Sequence, residues 1–225
     1  MAHELIYSVV SDLVQRLELR EPIVEFGSMQ VEEEQPGDLR PLFAGRHFIG
    51  TDFREGKGVD RTEDLRKLTF ADGEVGTAVC LDTLEHVADP IAAGRELTRV
   101  VSPNGGICLI SSVMLMPIHG YPSDYWRFTP EGFRVLLADF DDVDVATMGD
   151  PTIPFWLFGL ASKGRQLGLR LAQLPSLADS QRRYEEADGM LTIGPFRTGL
   201  RELGGELRMQ LPRIVRQRAA RLSRR

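Results

Sequence analysis

Short apolar runs alternate with segments of helical periodicity along this chain. Four apolar runs are continuous rather than alternating in polarity, as strands are when both faces of their sheet are covered: Ile23–Phe26, Phe48–Asp52, Thr77–Leu81 and Ile107–Ser111. Near the N-terminus, apolar residues recur every three or four positions between Leu5 and Leu17, which predicts a helix of about four turns. Strands that alternate with helical segments indicate a doubly wound α/β fold with a largely parallel sheet.

The starts of two later helices and a closing strand pair can also be read from the sequence. Two dipeptides combine a capping side chain with proline in the first helical position, Asp89-Pro90 and Thr129-Pro130. Residues Asp142–Thr147 alternate in polarity, and Trp156–Leu160 form an apolar run. The two segments predict an antiparallel hairpin that closes the sheet.

Length and charge divide the chain into three parts. The 225 residues suffice for one core and an appendage, and we expect an N-terminal helix over 1–20, a main domain over 21–163 and a helical, Arg-rich extension over 164–225. Residues 197–225 contain nine Arg and two Glu, so the rest of the chain carries a net charge of −13. This acidic body argues against a nucleic-acid partner. The basic tail is either a solvated helix face or a contact for a partner protein or an anionic surface.

The chain has the features of a cytoplasmic protein. No apolar run approaches the roughly 20 residues that a membrane span needs, and Glu4 stands where a secretory signal would be basic. Cys80 and Cys108 lie in predicted core strands, and we expect buried free thiols rather than a disulfide or a metal pair.

Polar or glycine-containing turns follow four predicted strands. They are Glu25-Phe26-Gly27-Ser28, Asp52-Phe53, Asp64-Leu65 and Leu81-Asp82-Thr83. Open α/β sheets bind ligands at the carboxyl ends of their strands, where these turns would meet. Glycine at position 27 allows backbone to approach a ligand closely, and a carboxylate that ends the second strand is placed to bind both hydroxyls of a ribose.

The order and spacing of these turns resemble the class I S-adenosylmethionine-dependent methyltransferases over about residues 20–163. Residues 23–28 resemble the first strand and glycine turn of that family, residues 48–52 its second strand with the ribose-binding acid, and residues 64–70 its adenine-side acid and following turn, with Thr69 in place of proline. Residues 78–87 are the closest match, to the fourth strand and its turn, and residues 96–106 resemble the approach to the fifth strand.

The resemblance implies a Rossmann-like methyltransferase fold with a seven-stranded mixed sheet that binds S-adenosylmethionine. It places the cofactor against Glu25, Gly27, Ser28, Asp52, Phe53, Asp64, Leu65, Leu81 and Asp82. The acids would contact the ribose and the adenine, and the glycine turn would lie near the methionine end. The implied reaction is methyl transfer to a small-molecule, glycan or lipid acceptor, with the cofactor supplying the reactivity.

The densest polar and aromatic cluster follows the fifth strand. Within it, His119 is the candidate base that would take a proton from an acceptor, since histidine is the residue type most often used for this role, and Tyr121, Tyr125 and Arg127 are candidate substrate contacts. In the competing interpretation, Asp124 pairs with Arg127 and the histidine is structural.

Two further features leave alternatives open. Asp82, Glu85 and His86 would share one face of a helix and could hold a divalent ion, as in quinone-pathway O-methyltransferases, but Leu-Glu-His-Val is common in the family without metal and we assign no metal ligand. Met29 and Gln30 stand where the family carries further glycines. This departure favours a non-catalytic binding protein of the same fold that acts through its basic tail.

Overall fold

A seven-stranded sheet and the helices that cover it make up the first of two units, residues 1–181 and 182–225. The computed structural model describes residues 2–30, 38–120, 122–186, 190–193 and 196–199. The strands of the sheet are β1 (Ile23–Phe26), β2 (Phe48–Asp52), β3 (Arg61–Thr62), β4 (Thr77–Cys80), β5 (Ile107–Val113), β6 (Asp142–Gly149) and β7 (Pro154–Ser162). The helices are α1 (Ala2–Arg16), α2 (Pro90–Val100), α3 (Pro130–Leu136) and α4 (Pro175–Glu185), with 3-10 turns at Arg40–Phe43, Leu84–His86 and Leu171–Gln173.

The strand order is β3-β2-β1-β4-β5-β7-β6. β1 pairs in parallel with β2 and β4, β2 with β3, and β4 with β5, whereas β7 is antiparallel to both β5 and β6. This arrangement confirms the predicted doubly wound mixed sheet and its closing hairpin. Because the chain leaves β1 in one direction and returns at β4 to continue in the other, a crevice opens between the carboxyl ends of these two strands.

Both faces of the sheet are covered, which explains why its inner strands are continuously apolar. Successive residues of β1 point to opposite faces, so Ile23 joins a core with α1 while Val24 joins a core with α2 and α3. From the helices, Val9 of α1 packs on the first face, and Leu97 and Phe133 pack on the second, all fully or almost fully buried. Each such side chain contributes about 1.5–3 kcal/mol through removal from water.

The predicted helix starts are confirmed. The Asp89 carboxylate accepts a hydrogen bond from the Ala92 backbone N–H at 3.0 Å, and the Thr129 hydroxyl accepts one from the Gly132 N–H at 3.2 Å. Prolines follow both caps, where their missing N–H costs nothing. The two cysteines are buried free thiols, as expected.

The C-terminal extension differs from its predicted form. Residues 164–181 belong to the first unit, because the backbone N–H groups of Leu167 and Leu171 donate to Asp142 and Asp144 of β6, at 2.9 and 2.6 Å. In the second unit, β8 (Met190–Ile193) and β9 (Phe196–Gly199) pair as an antiparallel hairpin instead of the expected helix. The intervening Gly-Pro dipeptide in the sequence disfavours a helix across this segment.

The predicted basic helix over the remainder of the tail, residues 200–225, lies outside the described residues. Among the described residues, no helix is long and apolar enough to cross a membrane.

Candidate active site

A cavity of about 480 Å³ opens at the carboxyl edge of the parallel strands. Its volume falls within the roughly 300–1,000 Å³ typical of small-ligand and cofactor sites. All nine residues that the sequence analysis assigns to the cofactor line it: Glu25, Gly27, Ser28, Asp52, Phe53, Asp64, Leu65, Leu81 and Asp82. The turns that are separated in sequence therefore meet at one edge, as the parallel strand order requires.

The turn after β1 depends on glycine. Gly27 has a φ of +87°, and a Cβ at this position would lie 2.1 Å from the Thr83 hydroxyl oxygen. The N–H groups of Gly27 and Ser28 both donate to the carbonyl of Thr51 in β2, at 2.7 and 2.9 Å. Backbone conformation, space and hydrogen bonding thus fix the turn against the cavity.

Beyond that turn the described chain approaches the loop after β2. The N–H of Gln30 donates to the carbonyl of Lys57 at 2.9 Å, which directs the chain toward the loop after β2. Among the described residues between β1 and β2, the helical element is the 3-10 turn Arg40–Phe43 rather than an α-helix. Met29 and Gln30 themselves line the cavity and leave its volume open, so the missing glycines do not close it.

The end of β2 presents a carboxylate beside an apolar surface. The Asp52 side chain is 10% exposed, and its Oδ1 accepts a hydrogen bond from the Arg54 N–H at 3.0 Å. Phe53 is 51% exposed, and the Arg54 guanidinium lies over its ring at 4.8 Å. A carboxylate that can accept from two hydroxyls and a flat ring beside it suit a nucleoside.

Two adjacent acids after β3 have different environments. Asp64 is exposed and forms a two-pronged ion pair with Arg66, which lowers the pKa of that carboxyl group. Glu63 is buried and accepts hydrogen bonds from the Thr69 N–H and hydroxyl, at 2.8 and 2.6 Å, and it pairs with Arg61 at 2.5 Å. Asp64 lines the cavity as predicted. Glu63 stabilises the turn that follows through its hydrogen bonds with Thr69.

Glu25 is a titratable group in the cavity wall. Desolvation of its partly buried carboxyl group raises the pKa to about 8, and the nearby charge of Asp38 adds to the increase while Arg40 opposes it. At neutral pH this carboxyl group is therefore held mostly protonated in the protein alone.

Asp82 holds a strained position after β4. Its φ is +43°, which is costly for a residue other than glycine and is a common feature of functional turns. Its Oδ1 accepts from the Ser111 hydroxyl at 2.6 Å and its Oδ2 from the Trp156 indole N–H at 3.3 Å. Sequence reasoning missed Trp156. The antiparallel direction of β7 could have pointed to it, because such a strand begins at the edge where the parallel strands end.

One side of the cavity brings two histidines together. The rings of His86 and His119 meet edge to face with their centroids 4.9 Å apart, and both line the cavity. His86 Nδ1 lies 2.6 Å from the Ser123 carbonyl oxygen, and burial lowers the pKa of this imidazole. His119 Nδ1 lies 3.2 Å from Asp124 Oδ2. The Arg127 guanidinium lowers the pKa of the Asp124 carboxyl group to about 2.

The buried carboxylate beside them belongs to Glu85, which is 1% exposed. Its Oε2 accepts from the Ser112 hydroxyl at 2.8 Å. Desolvation, reinforced by the charge of Asp82, raises the pKa of Glu85 to about 8.

The shared helix face considered for Asp82, Glu85 and His86 does not form. The turn Leu84–His86 is a 3-10 turn, and Asp82 precedes it in a left-handed conformation with its carboxylate bonded to other strands. The spacing argument assumed an α-helix. The tertiary structure instead groups Glu85 and His86 with His119.

The predicted substrate contacts have separate outcomes. Arg127 lies outside the cavity lining, because its guanidinium holds Asp124 at 2.5 and 2.7 Å and the Met116 carbonyl at 3.1 Å. The pairing of Asp124 with Arg127 that the competing interpretation expected is present, and a substrate contact for Arg127 stays a prediction. Tyr125 lines the cavity and is 53% exposed. Tyr121 lies outside the described residues.

Sequence comparison relates the central part of the chain to methyltransferases. Residues 47–109 match the family model described as a methyltransferase domain. An uncharacterized methyltransferase of Mycolicibacterium gilvum (strain PYR-GCK) is 32% identical over 89 residues, and one of Mycobacterium sp. (strain JLS) is 41% identical over 54 residues. The first alignment covers 40% of this chain and 32% of the relative, and the second covers 24% of this chain and 21% of the relative. The chain therefore matches less than a third of each relative's length.

Solved structures share the fold at low sequence identity. The PH0226 protein from Pyrococcus horikoshii OT3 matches with a TM-score of 0.54 and 14% identity, over 71% of this chain and 90% of that one. A methyltransferase from Thermotoga maritima, described as S-adenosylmethionine-dependent and a possible histamine N-methyltransferase, matches with a TM-score of 0.50 and 18% identity, over 71% and 91%.

The sheet order, the cavity edge and the family model together define a Rossmann-like methyltransferase domain. The fold and the family match confirm the resemblance to the class I S-adenosylmethionine-dependent methyltransferases that the sequence shows.

Proposed function

We propose that this protein transfers a methyl group from S-adenosylmethionine to an acceptor that binds beside His119. The observation that carries the proposal is the convergence of all nine predicted cofactor residues on one cavity whose opposite wall holds the two histidines and Tyr125. When bound, the cofactor supplies a sulfonium methyl group for in-line displacement. The protein needs to orient the two reactants and exclude water, which accounts for a large part of the rate.

The residues of this cavity fit the cofactor. Gly27 lines the cavity with backbone alone, because a Cβ at this position would clash with the Thr83 side chain. Asp52 and the exposed Phe53 ring would bind the ribose and the adenine side, and Asp64 would accept from the adenine amino group. Glu25 lies beside the glycine turn, where its carboxyl group would lose its proton to stabilise the positively charged methionine end.

His119 would act at the reacting group of the acceptor. Asp124 lies against its Nδ1 and orients the ring, so Nε2 is the nitrogen available to take a proton. A small-molecule, glycan or lipid acceptor fits an acidic body better than a polyanion does. The buried thiols Cys80 and Cys108 accord with a reducing compartment such as the cytoplasm.

Calorimetric titration of the full chain with S-adenosylmethionine and S-adenosylhomocysteine tests the cofactor assignment. We expect micromolar binding of both, followed by labelled methyl transfer to an acceptor found by screening. His119→Ala would then lower kcat by at least about 100-fold with S-adenosylhomocysteine affinity unchanged. No binding at millimolar ligand would refute the proposal and favour the non-catalytic alternative, in which the basic tail binds a partner.

A further inference from the structure

Glu85, His86 and His119 offer a set of ligand atoms that the proposed methyl transfer does not by itself require. One carboxylate oxygen and one ring nitrogen from each histidine lie within 4.8 Å of one another. The 3-10 turn after β4 supplies the first two residues, and the loop after β5 supplies the third. All three line the acceptor side of the cavity.

The carboxylate has an unused oxygen. Glu85 Oε1 is buried and has no hydrogen-bond partner among the residues that the structure describes, whereas Oε2 is satisfied by Ser112. A buried acceptor without a partner is costly, and native proteins rarely leave one without a compensating ligand. The unused oxygen belongs to the carboxylate that groups with the two histidines.

Each histidine ring is oriented by a hydrogen-bond acceptor at its Nδ1 atom. The Ser123 carbonyl faces Nδ1 of His86, and the Asp124 carboxylate faces Nδ1 of His119. These acceptors place the ring proton on Nδ1 and leave an unshared electron pair on Nε2. Histidines that bind metals characteristically donate their second nitrogen to a carbonyl or a carboxylate in this way.

We propose that Glu85 Oε1 and the Nε2 atoms of His86 and His119 bind one divalent transition-metal ion of the Zn²⁺ type. Two imidazoles and one carboxylate form a ligand set suited to such an ion, and three protein ligands leave a position open to the cavity. Charge favours binding as well, because the ion would stabilise the ionised form of the buried Glu85 carboxyl group, which burial and the charge of Asp82 disfavour.

The open position assigns a class of acceptor, and this step rests on the proposed methyl transfer. The ion would bind an acceptor hydroxyl or thiol and promote loss of its proton to solvent. The resulting oxygen or sulfur anion attacks the methyl carbon, the carbon–sulfonium bond breaks, and its electron pair remains on sulfur to give a neutral thioether. With the ion bound, His119 serves as a ligand rather than as the base.

Metal binding by the full chain tests the site directly. After treatment with a chelator, we expect the protein to bind one equivalent of Zn²⁺ in equilibrium dialysis and to give visible absorption bands with Co²⁺. Glu85→Gln and His119→Gln should each weaken Zn²⁺ binding by at least about 100-fold, since loss of an outer-shell partner alone costs 10–100-fold. The first variant can keep the Ser112 hydrogen bond, and the second lies in a loop. The exposed His47→Gln variant is the matched control and should bind as the wild type does.

Less than a tenth of an equivalent of bound Zn²⁺, or equal binding by wild type and both ligand variants, would overturn the proposal. Titration of the same samples with S-adenosylhomocysteine distinguishes failure of the metal-site proposal from failure of the proposed methyl transfer. Cofactor-product binding without Zn²⁺ binding removes the metal site alone. Zn²⁺ binding without S-adenosylhomocysteine binding supports the metal site and contradicts methyl transfer.

Discussion

Thr69 donates both its backbone N–H and its hydroxyl to the buried carboxylate of Glu63, at 2.8 and 2.6 Å. The methyltransferase class has proline at the position of Thr69, and proline has no N–H and no hydroxyl. In this chain the turn after β3 is therefore stabilised by two charge-assisted hydrogen bonds to an acid that precedes it. Threonine at this position thus supplies two donors that proline lacks to the buried Glu63.

Thr69→Pro should destabilise the protein even though it restores the residue typical of the class. The Glu63 carboxylate would lose two donors, each worth about 1.5–3 kcal/mol to a charged group, and would keep its ion pair with Arg61. Urea unfolding should show a loss of roughly 3–6 kcal/mol. Thr69→Ser keeps both donors and should stay within about 0.5 kcal/mol of the wild type. A proline variant as stable as the serine variant would contradict this role.

Gly27→Ala should both destabilise the protein and impair cofactor binding. The alanine Cβ would lie 2.1 Å from the Thr83 hydroxyl oxygen, in addition to the strain of a φ of +87°. Gly45→Ala separates the two effects, because Gly45 has a φ of +78° and no atom within 4 Å of the new Cβ. The control should lose only about 1–2 kcal/mol from the backbone conformation.

The measurements are urea unfolding and calorimetric titration with S-adenosylhomocysteine. A larger loss of stability for Gly27→Ala than for Gly45→Ala, together with weaker binding, is the expected result. Equal losses and unchanged binding would mean that the Thr83 contact relaxes without cost.

Asp52→Ala should weaken S-adenosylhomocysteine binding more than tenfold. The carboxylate at the end of β2 lines the cavity and would lose hydrogen bonds to the ribose hydroxyls, each worth about 1.5–3 kcal/mol for a charged acceptor. The exposed Asp139→Ala variant controls for the loss of one negative charge. Unchanged affinity in the Asp52 variant would remove the ribose assignment and leave the fold assignment intact.

Glu25 should make stability fall as pH rises toward 8. Its pKa in the folded protein, about 8, lies above its ordinary value of 4.5, so between these values the folded state retains a proton that the unfolded state releases. Stability is then lost with increasing pH at up to about 1.4 kcal/mol per unit. Glu25→Gln removes this dependence, so the difference in unfolding free energy between variant and wild type should grow from pH 5 to pH 7.5.

Denaturant titrations at several pH values measure that difference. The exposed Glu18→Gln variant should show a pH profile parallel to that of the wild type. A Glu25→Gln profile that is also parallel to the wild type would place the Glu25 pKa near its ordinary value.

The sequence by itself determined the sheet, the helix starts and the cofactor edge. These features depend on patterns carried within short segments: continuous apolar runs, a cap followed by proline, and an acid or glycine directly after a strand. Once the strands are parallel, their carboxyl ends meet at one edge, so residues such as Asp52 and Asp82 are brought to one cavity by topology alone.

The tertiary structure alone decided how the acceptor side is arranged. Arg127 is directed onto Asp124 rather than into the cavity, and Trp156 reaches Asp82 from a strand far along the chain. Glu85 and His86 meet His119 because a 3-10 turn and a distant loop pack together. The contacts of Trp156 and His119 join residues tens of positions apart through packing, which no local periodicity records. A turn of three residues carries too little pattern to reveal its helical type.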